Sequence, residues 1–129
     1  MQFSPDDFKH TGLLREQCLI GGEWCDNVSG NRIPVTNPAT GAVIGSVPEM
    51  SFEEAGRAIA TAEKAQKAWA KRTAAERATL LEAWFDLTMS MQQELGALMT
   101  AEQGKPLSEA MGEIAYAASF IKWFGEEAR

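Results

Sequence analysis

The last segment of the chain, from about Leu107 to the end, most constrains what it can fold into, because it reads as a helix that is apolar on two faces. Leu107, Ala110, Met111, Ile114, Ala118, Ile121 and Phe124 recur at the three- and four-residue steps of one helix stripe. Tyr116, Phe120 and Trp123 form a second stripe on a different face. A helix apolar on two faces is buried on two sides. The rest of the sequence offers only short strands and three other helices to cover it. The second face is therefore expected either to meet further protein or to line a ligand site.

The elements upstream follow from local signals. Residues 1–16 are polar and mixed, and read as an irregular arm with a short helical turn around Asp6 to His10. Residues 17–129 are the folded unit. Cys18-Leu19-Ile20 and Glu23-Trp24 flank Gly21-Gly22, a hairpin signal because both glycines accept positive φ. Arg32 to Thr36 reads as a strand whose Pro34 suits an edge. Asn37-Pro38-Ala39-Thr40-Gly41 is turn chemistry, and Ala42 to Val47 reads as a strand stopped by Pro48.

Helices follow from Ser51. Ser51 with Glu54, and Thr73 with Glu76, have the S/T-x-x-E spacing of capping boxes. Phe52, Ala55, Ile59, Ala62 and Trp69 keep helical spacing after the first box. Leu80, Leu81, Trp84, Leu87, Thr88 and Met91 are expected along one side of the second helix. A third helix covers Gln93 to Gln103, with Leu95, Leu98 and Met99 inward, and Gly104 stops it. Pro106 suits the first turn of the fourth. Strands followed only by helices lack the βαβ alternation of a dinucleotide-binding unit, and there is no G-x-G-x-x-G or P-loop.

Composition narrows the function. With 45% hydrophobic and 23% charged residues the chain reads as globular. A formal charge of −6, without a Lys/Arg cluster, argues against nucleic acid. No apolar stretch approaches a membrane span, and the N-terminus has no secretory h-region, so the cytoplasm is the expected compartment. Cys18 and Cys25 are the only thiols, and Cys25 lies beside the negative Asp26. His10 is the single histidine, so a zinc site is not expected; a Cys–His pair would have to use it. Glu102 stands near a helix C-terminus, where free carbonyls gather; such a carboxylate is either solvated or part of a cage for a small cation.

Leu19-Ile-Gly-Gly-Glu-Trp24, Val35-Thr-Asn-Pro-Ala-Thr-Gly41 and Ile44-Gly-Ser-Val-Pro48, in that order, resemble the opening of the aldehyde dehydrogenase superfamily. Ala101-Glu-Gln-Gly-Lys-Pro-Leu107 is similar to its E-x-G-K-P segment. The segment from Tyr116 to Arg129 resembles the succinate-semialdehyde dehydrogenase branch. The resemblance runs from about residue 13 to the end. It implies oxidation of an aldehyde to an acid with NAD or NADP, through a cysteine thiolate and a glutamate that activates water. The nucleophile, base, oxyanion Asn and cofactor loop of the family lie in later segments. Neither Cys18 nor Cys25 matches the nucleophile, so no catalytic or cofactor-binding residue is assigned to this chain and it is expected to be inactive alone. The resemblance further implies that the last helix lines the aldehyde entrance through Gly112, Tyr116 and Phe120. It also implies a monovalent cation held by the carbonyls of Val35 and Thr36 with Glu102, where some family members carry the shorter Asp.

The expected fold class is α/β by parentage: short antiparallel strands followed by four helices, an incomplete part of the cofactor-binding domain. The expected parent is a homo-oligomer acting on a small-molecule aldehyde, with no nucleic-acid or membrane partner. The rival reading is a non-catalytic helical protein-interaction module whose aromatic stripe binds another protein.

Overall fold

A computed structural model describes residues 12–129. The turn expected around Asp6 to His10, and any pairing of His10 with a cysteine, fall outside the described residues. Strands β1 (Cys18–Ile20) and β2 (Glu23–Cys25) form one antiparallel hairpin, and β3 (Arg32–Thr36) and β4 (Val43–Pro48) form another. The first closes through Gly21 and Gly22, whose φ values are 63° and 89°, as a two-residue hairpin loop requires. The second closes through an Asx turn. Asn37 accepts the Ala39 N–H on its side chain at 2.9 Å, and its own N–H donates to the Ala42 carbonyl at 2.9 Å.

Strand β4 stops at Pro48 as expected, with the proline itself as its last residue, buried and opposite Arg32. Its missing N–H costs no ladder bond, because the bonded pair is the next one, where Glu49 donates to the Asn31 carbonyl at 3.0 Å.

Helices α1 (Phe52–Trp69), α2 (Ala74–Ser90), α3 (Gln92–Gln103) and α4 (Leu107–Glu127) follow. Both capping boxes form: Ser51 and Thr73 accept the N–H of Glu54 and Glu76, whose carboxylates reach back to the capping residues. Gly104 ends α3 at φ 81°. Pro106 caps α4 from outside rather than occupying its first turn.

The fourth helix packs against both α2 and α3. The contacts are made by small residues. Ala78, Ala110 and Ala118 are 0% exposed, and Ala101 is 1% exposed. A Cβ on Gly96 would stand 2.9 Å from the Met111 side chain and 3.2 Å from its backbone N. A Cβ on Gly125 would stand 3.3 Å from Leu81 Cβ.

This close approach corrects the expected face of α2. Leu81, Thr88 and Met91 are half-buried as expected, but Leu80, Trp84 and Leu87 are 45%, 58% and 59% exposed. Ala78 and the half-buried Phe85 face inward instead, because Ala78 and Leu81 are where Gly125 lets the two backbones meet. Phe124, expected on the core stripe of α4, is 61% exposed, and Gly125 takes the buried position.

A second small core joins sheet to helices. Ile44, Ala97 and Ala101 are buried together, with Leu14, Val35, Leu98 and Leu107 against them. The first helix is the least covered: Phe52 is fully exposed and Ile59 is 70% exposed. The chain exposes 8811 Å², against roughly 6,700 Å² for a compact monomer of its mass.

Candidate functional site

The fourth helix sets the geometry of the first candidate. It starts after the left-handed turn at Gly104 and runs for 21 residues, roughly 30 Å. Ala110, Ala118 and Gly125 hold one face against α2 and α3, so the positions one turn apart on the outer side project together. Gly112, Tyr116 and Phe120 occupy that side. The Tyr116 and Phe120 rings meet edge to face, with centroids 4.9 Å apart and planes at 79°. Tyr116 is 66% exposed, Phe120 46% and Trp123 58%. Beside them Gly112 leaves open space: a Cβ there would meet nothing within 4 Å. The ridge is aromatic, with the Tyr116 hydroxyl as its one polar group. Chemically it can shape a passage and exclude water.

The second candidate lies where β3 meets the end of α3. Val35 packs on the Ile44–Ala97–Ala101 core, whose Ala101 immediately precedes Glu102 in sequence. Pro38 sits within 3.0 Å of where a Gly104 Cβ would be, so the β3–β4 turn rests on the helix end. The ladder shifts register between Val35 and Thr36, opposite Gly45 and Val43, a bulge that interrupts regular pairing at the two carbonyls expected to hold a cation. Val35 is thus brought beside the last turn of α3, while Thr36 and the Glu102 side chain are exposed. An oxygen-only set of this kind suits a hard cation. No group of three or more His, Cys, Asp or Glu fit to hold a metal occurs among the described residues.

Other polar groups build the frame, and sequence reasoning found the two capping glutamates but missed the long-range partners. Glu54 is 5% exposed. One carboxylate oxygen accepts the Ser51 N–H at 2.8 Å, and the other accepts the Val28 N–H at 2.7 Å. These bonds, foremost that from Ser51, then Val28, with Arg57 nearby, hold its pKa below the ordinary value. The Thr73 N–H and hydroxyl lower Glu76 in the same way. The capping pattern located Glu54, but its reach across 26 positions to Val28 leaves no local signal.

Asn27 donates to the carbonyls of Asn31 at 2.7 Å and Glu49 at 2.8 Å, tying the β2–β3 loop to the end of β4. Arg32 donates to Asp26 at 2.9 Å and to Ser46 Oγ at 2.7 Å, and also to the Glu16 carbonyl. Gln17, then Arg32, lowers the Asp26 pKa. Together these bonds fix the helix starts, the β2–β3 loop and the strand β3 in place.

Comparison with known proteins agrees with this architecture. The aldehyde dehydrogenase family model matches residues 24–129. The chain is 57% identical over 121 residues to a glutarate-semialdehyde dehydrogenase of Pseudomonas putida, covering 94% of this chain and 25% of that protein. It is 56% identical over 119 residues to an NADP(+) succinate-semialdehyde dehydrogenase of Escherichia coli, covering 92% of this chain and 25% of that protein. Among solved structures, a succinate-semialdehyde dehydrogenase from Burkholderia pseudomallei superposes with a TM-score of 0.87 at 52% identity, over 90% of this chain and 24% of that one. The chain therefore spans about a quarter of the length of the relatives it matches. With its short antiparallel strands, four helices and a family match over residues 24–129, the chain belongs to the aldehyde dehydrogenase family.

Proposed function

We propose that this chain is the N-terminal part of an NAD(P)-dependent enzyme that oxidises succinate semialdehyde to succinate. The observation that carries the reading is the 56–57% identity, over nearly the whole chain, to enzymes named for succinate and glutarate semialdehydes. Both substrates are short aldehydes with a carboxylate at the far end, so the substrate class is an ω-oxocarboxylate. In this reading a nicotinamide cofactor, when bound, would supply the hydride acceptor, and the nucleophile and base would come from segments beyond residue 129. Cys18 and Cys25 take no part in the reaction. The parent is a cytoplasmic homo-oligomer.

Within that enzyme the chain supplies walls and supports. Gly112, Tyr116 and Phe120 line the aldehyde passage; their exposure on one ridge of α4 supports this, since an aromatic wall left open here has a face to offer. The carbonyls of Val35 and Thr36, with the Glu102 carboxylate, hold a monovalent cation; the bulge at Val35 and Thr36 supports this by interrupting the ladder at that point.

The test is NAD(P)H formation with succinate semialdehyde, glutarate semialdehyde and an uncharged aldehyde of equal length. The full-length enzyme is expected to turn over the carboxylated substrates preferentially, and the 129-residue chain alone to give no signal above a no-protein control. Preference for the uncharged aldehyde would overturn the substrate assignment. Turnover by the isolated chain, abolished by Cys18→Ser or Cys25→Ser, would overturn the division of labour.

A further inference from the structure

The two cysteines, which the proposed chemistry leaves idle, are placed together by the fold. Gly21 and Gly22, both at positive φ, make the two-residue loop that sets the register of β1 against β2. In that register Cys18 stands directly opposite Cys25. Directly opposed residues of an antiparallel ladder have Cα atoms about 4.5 or 5.5 Å apart, and both values fall in the roughly 4.4–6.8 Å span that a disulfide takes.

The side chains share a face. Alternation puts Cys18, Ile20, Glu23 and Cys25 on one side of the hairpin, and Leu19 and Trp24 on the other, 60% and 44% exposed. The Cys25 thiol lies 3.5 Å from the Glu23 carbonyl, two residues back along its own strand. One step beyond the cysteines Gln17 donates to Asp26 at 2.8 Å, which holds the open end of the hairpin in register. Both thiols are free and half-buried, neither sealed in the core nor fully exposed to solvent.

We propose that Cys18 and Cys25 are a reversible thiol oxidation site, closing to an intramolecular cross-strand disulfide when the protein meets hydrogen peroxide. One thiolate attacks a peroxide oxygen and becomes a sulfenic acid, with release of one water. The opposed thiol then attacks that sulfur and expels a second water. The two thiols give up two electrons and two hydrogens, and the peroxide is reduced to two waters. Such a bond between strand neighbours is of the labile kind that reductants reopen, which fits a transient modification in a reducing compartment. Its structural effect is local. It ties β1 to β2 behind a loop whose Gly21 sits where a Cβ would be 3.1 Å from Thr61 of α1, so the oxidised hairpin is held more rigidly against that helix.

The test uses the full-length protein, treated with hydrogen peroxide, quenched with N-ethylmaleimide and digested with trypsin. Both cysteines fall in one tryptic peptide, Glu16 to Arg32. The expected result is loss of both maleimide labels and a peptide lighter by two hydrogen atoms, with both labels restored by dithiothreitol. In Cys18→Ser the remaining Cys25 is expected to keep its label under the same mild treatment, or to gain oxygen without losing hydrogen. Retention of both labels in the wild type would overturn the proposal, as would oxygen addition alone, or a cross-link from either cysteine to a third. The wild-type peptide decides the matter by itself if a variant fails to fold.

Discussion

The two faces of α4 are built on opposite plans. The inner face carries Ala110, Ala118 and Gly125, and there the helix lies close enough to its neighbours that a Cβ on Gly96 would collide with Met111. The outer face carries Tyr116, Phe120 and Trp123, each about half or more exposed. Small residues let backbones approach and gain dispersion contacts along their length, at the cost of little apolar area per residue. Large aromatics need a partner surface to bury theirs. The inner face is thus complete within residues 12–129, and the outer face is the one that the remaining three quarters of a family member has room to cover.

The largest expected effect separates the aromatics from one another. In the full-length protein Trp123→Ala is expected to lose roughly 3–5 kcal/mol as a buried aromatic, with aldehyde preference unchanged. Tyr116→Ala is expected to cost less stability and to change the ratio of kcat/KM between short and bulky aldehydes. Urea midpoints together with steady-state kinetics read both quantities. Equal stability losses with untouched selectivity would reduce the outer face to plain packing.

The inner face is tested by two glycines on facing and opposite sides of the same interface. Gly96→Val should cost about 1–3 kcal/mol, because its side chain must displace the Met111 backbone as well as its side chain. Gly112→Ala should instead gain up to about 1 kcal/mol, since its Cβ enters open space on a helix where glycine is the poorer former. Thermal melts of the two variants compare them directly. Similar midpoints would remove the distinction between the faces.

The capping boxes are the smallest lever and respond to pH. Ser51→Ala and Thr73→Ala should each cost on the order of 1 kcal/mol, read as a fall in the urea midpoint. The carboxylates of Glu54 and Glu76 have folded pKa values below the ordinary one. Their stabilisation is therefore fully present above the ordinary glutamate pKa and is lost as pH falls through the depressed folded value. Melting temperature is expected to drop across that acidic window, and Glu54→Gln should flatten part of the drop. An unchanged acid profile in Glu54→Gln would mean that the Ser51 and Val28 bonds to this carboxylate contribute nothing measurable.

What the sequence determined by itself is whatever depends on a few neighbouring residues. Gly21-Gly22, Gly41 and Gly104 mark backbone that must take positive φ, and Ser51 and Thr73 mark helix starts through bonds spanning three positions. Motif order placed the chain in its family, and Tyr116, Phe120 and Trp123 were legible as one stripe from helical spacing, while Gly112 joined Tyr116 and Phe120 only through the family resemblance.

Tertiary structure decided what propensity could not rank. The second helix has large apolar residues on two sides, Leu80, Trp84 and Leu87 against Leu81 and Phe85, and apolar content favours neither. Alanine and glycine chose the side: Gly125 lets α4 approach where Ala78 and Leu81 stand, and that contact turns Trp84 outward. Pro48 fits in its strand because pairing with β3 puts it opposite Arg32, next to the bonded pair of Asn31 and Glu49, where no ladder N–H is needed. Glu54 acquired a second partner in Val28 only when the folded chain brought the β2–β3 loop to the start of α1. In each case the deciding contact joins residues distant in sequence, whose meeting depends on the packing of whole elements.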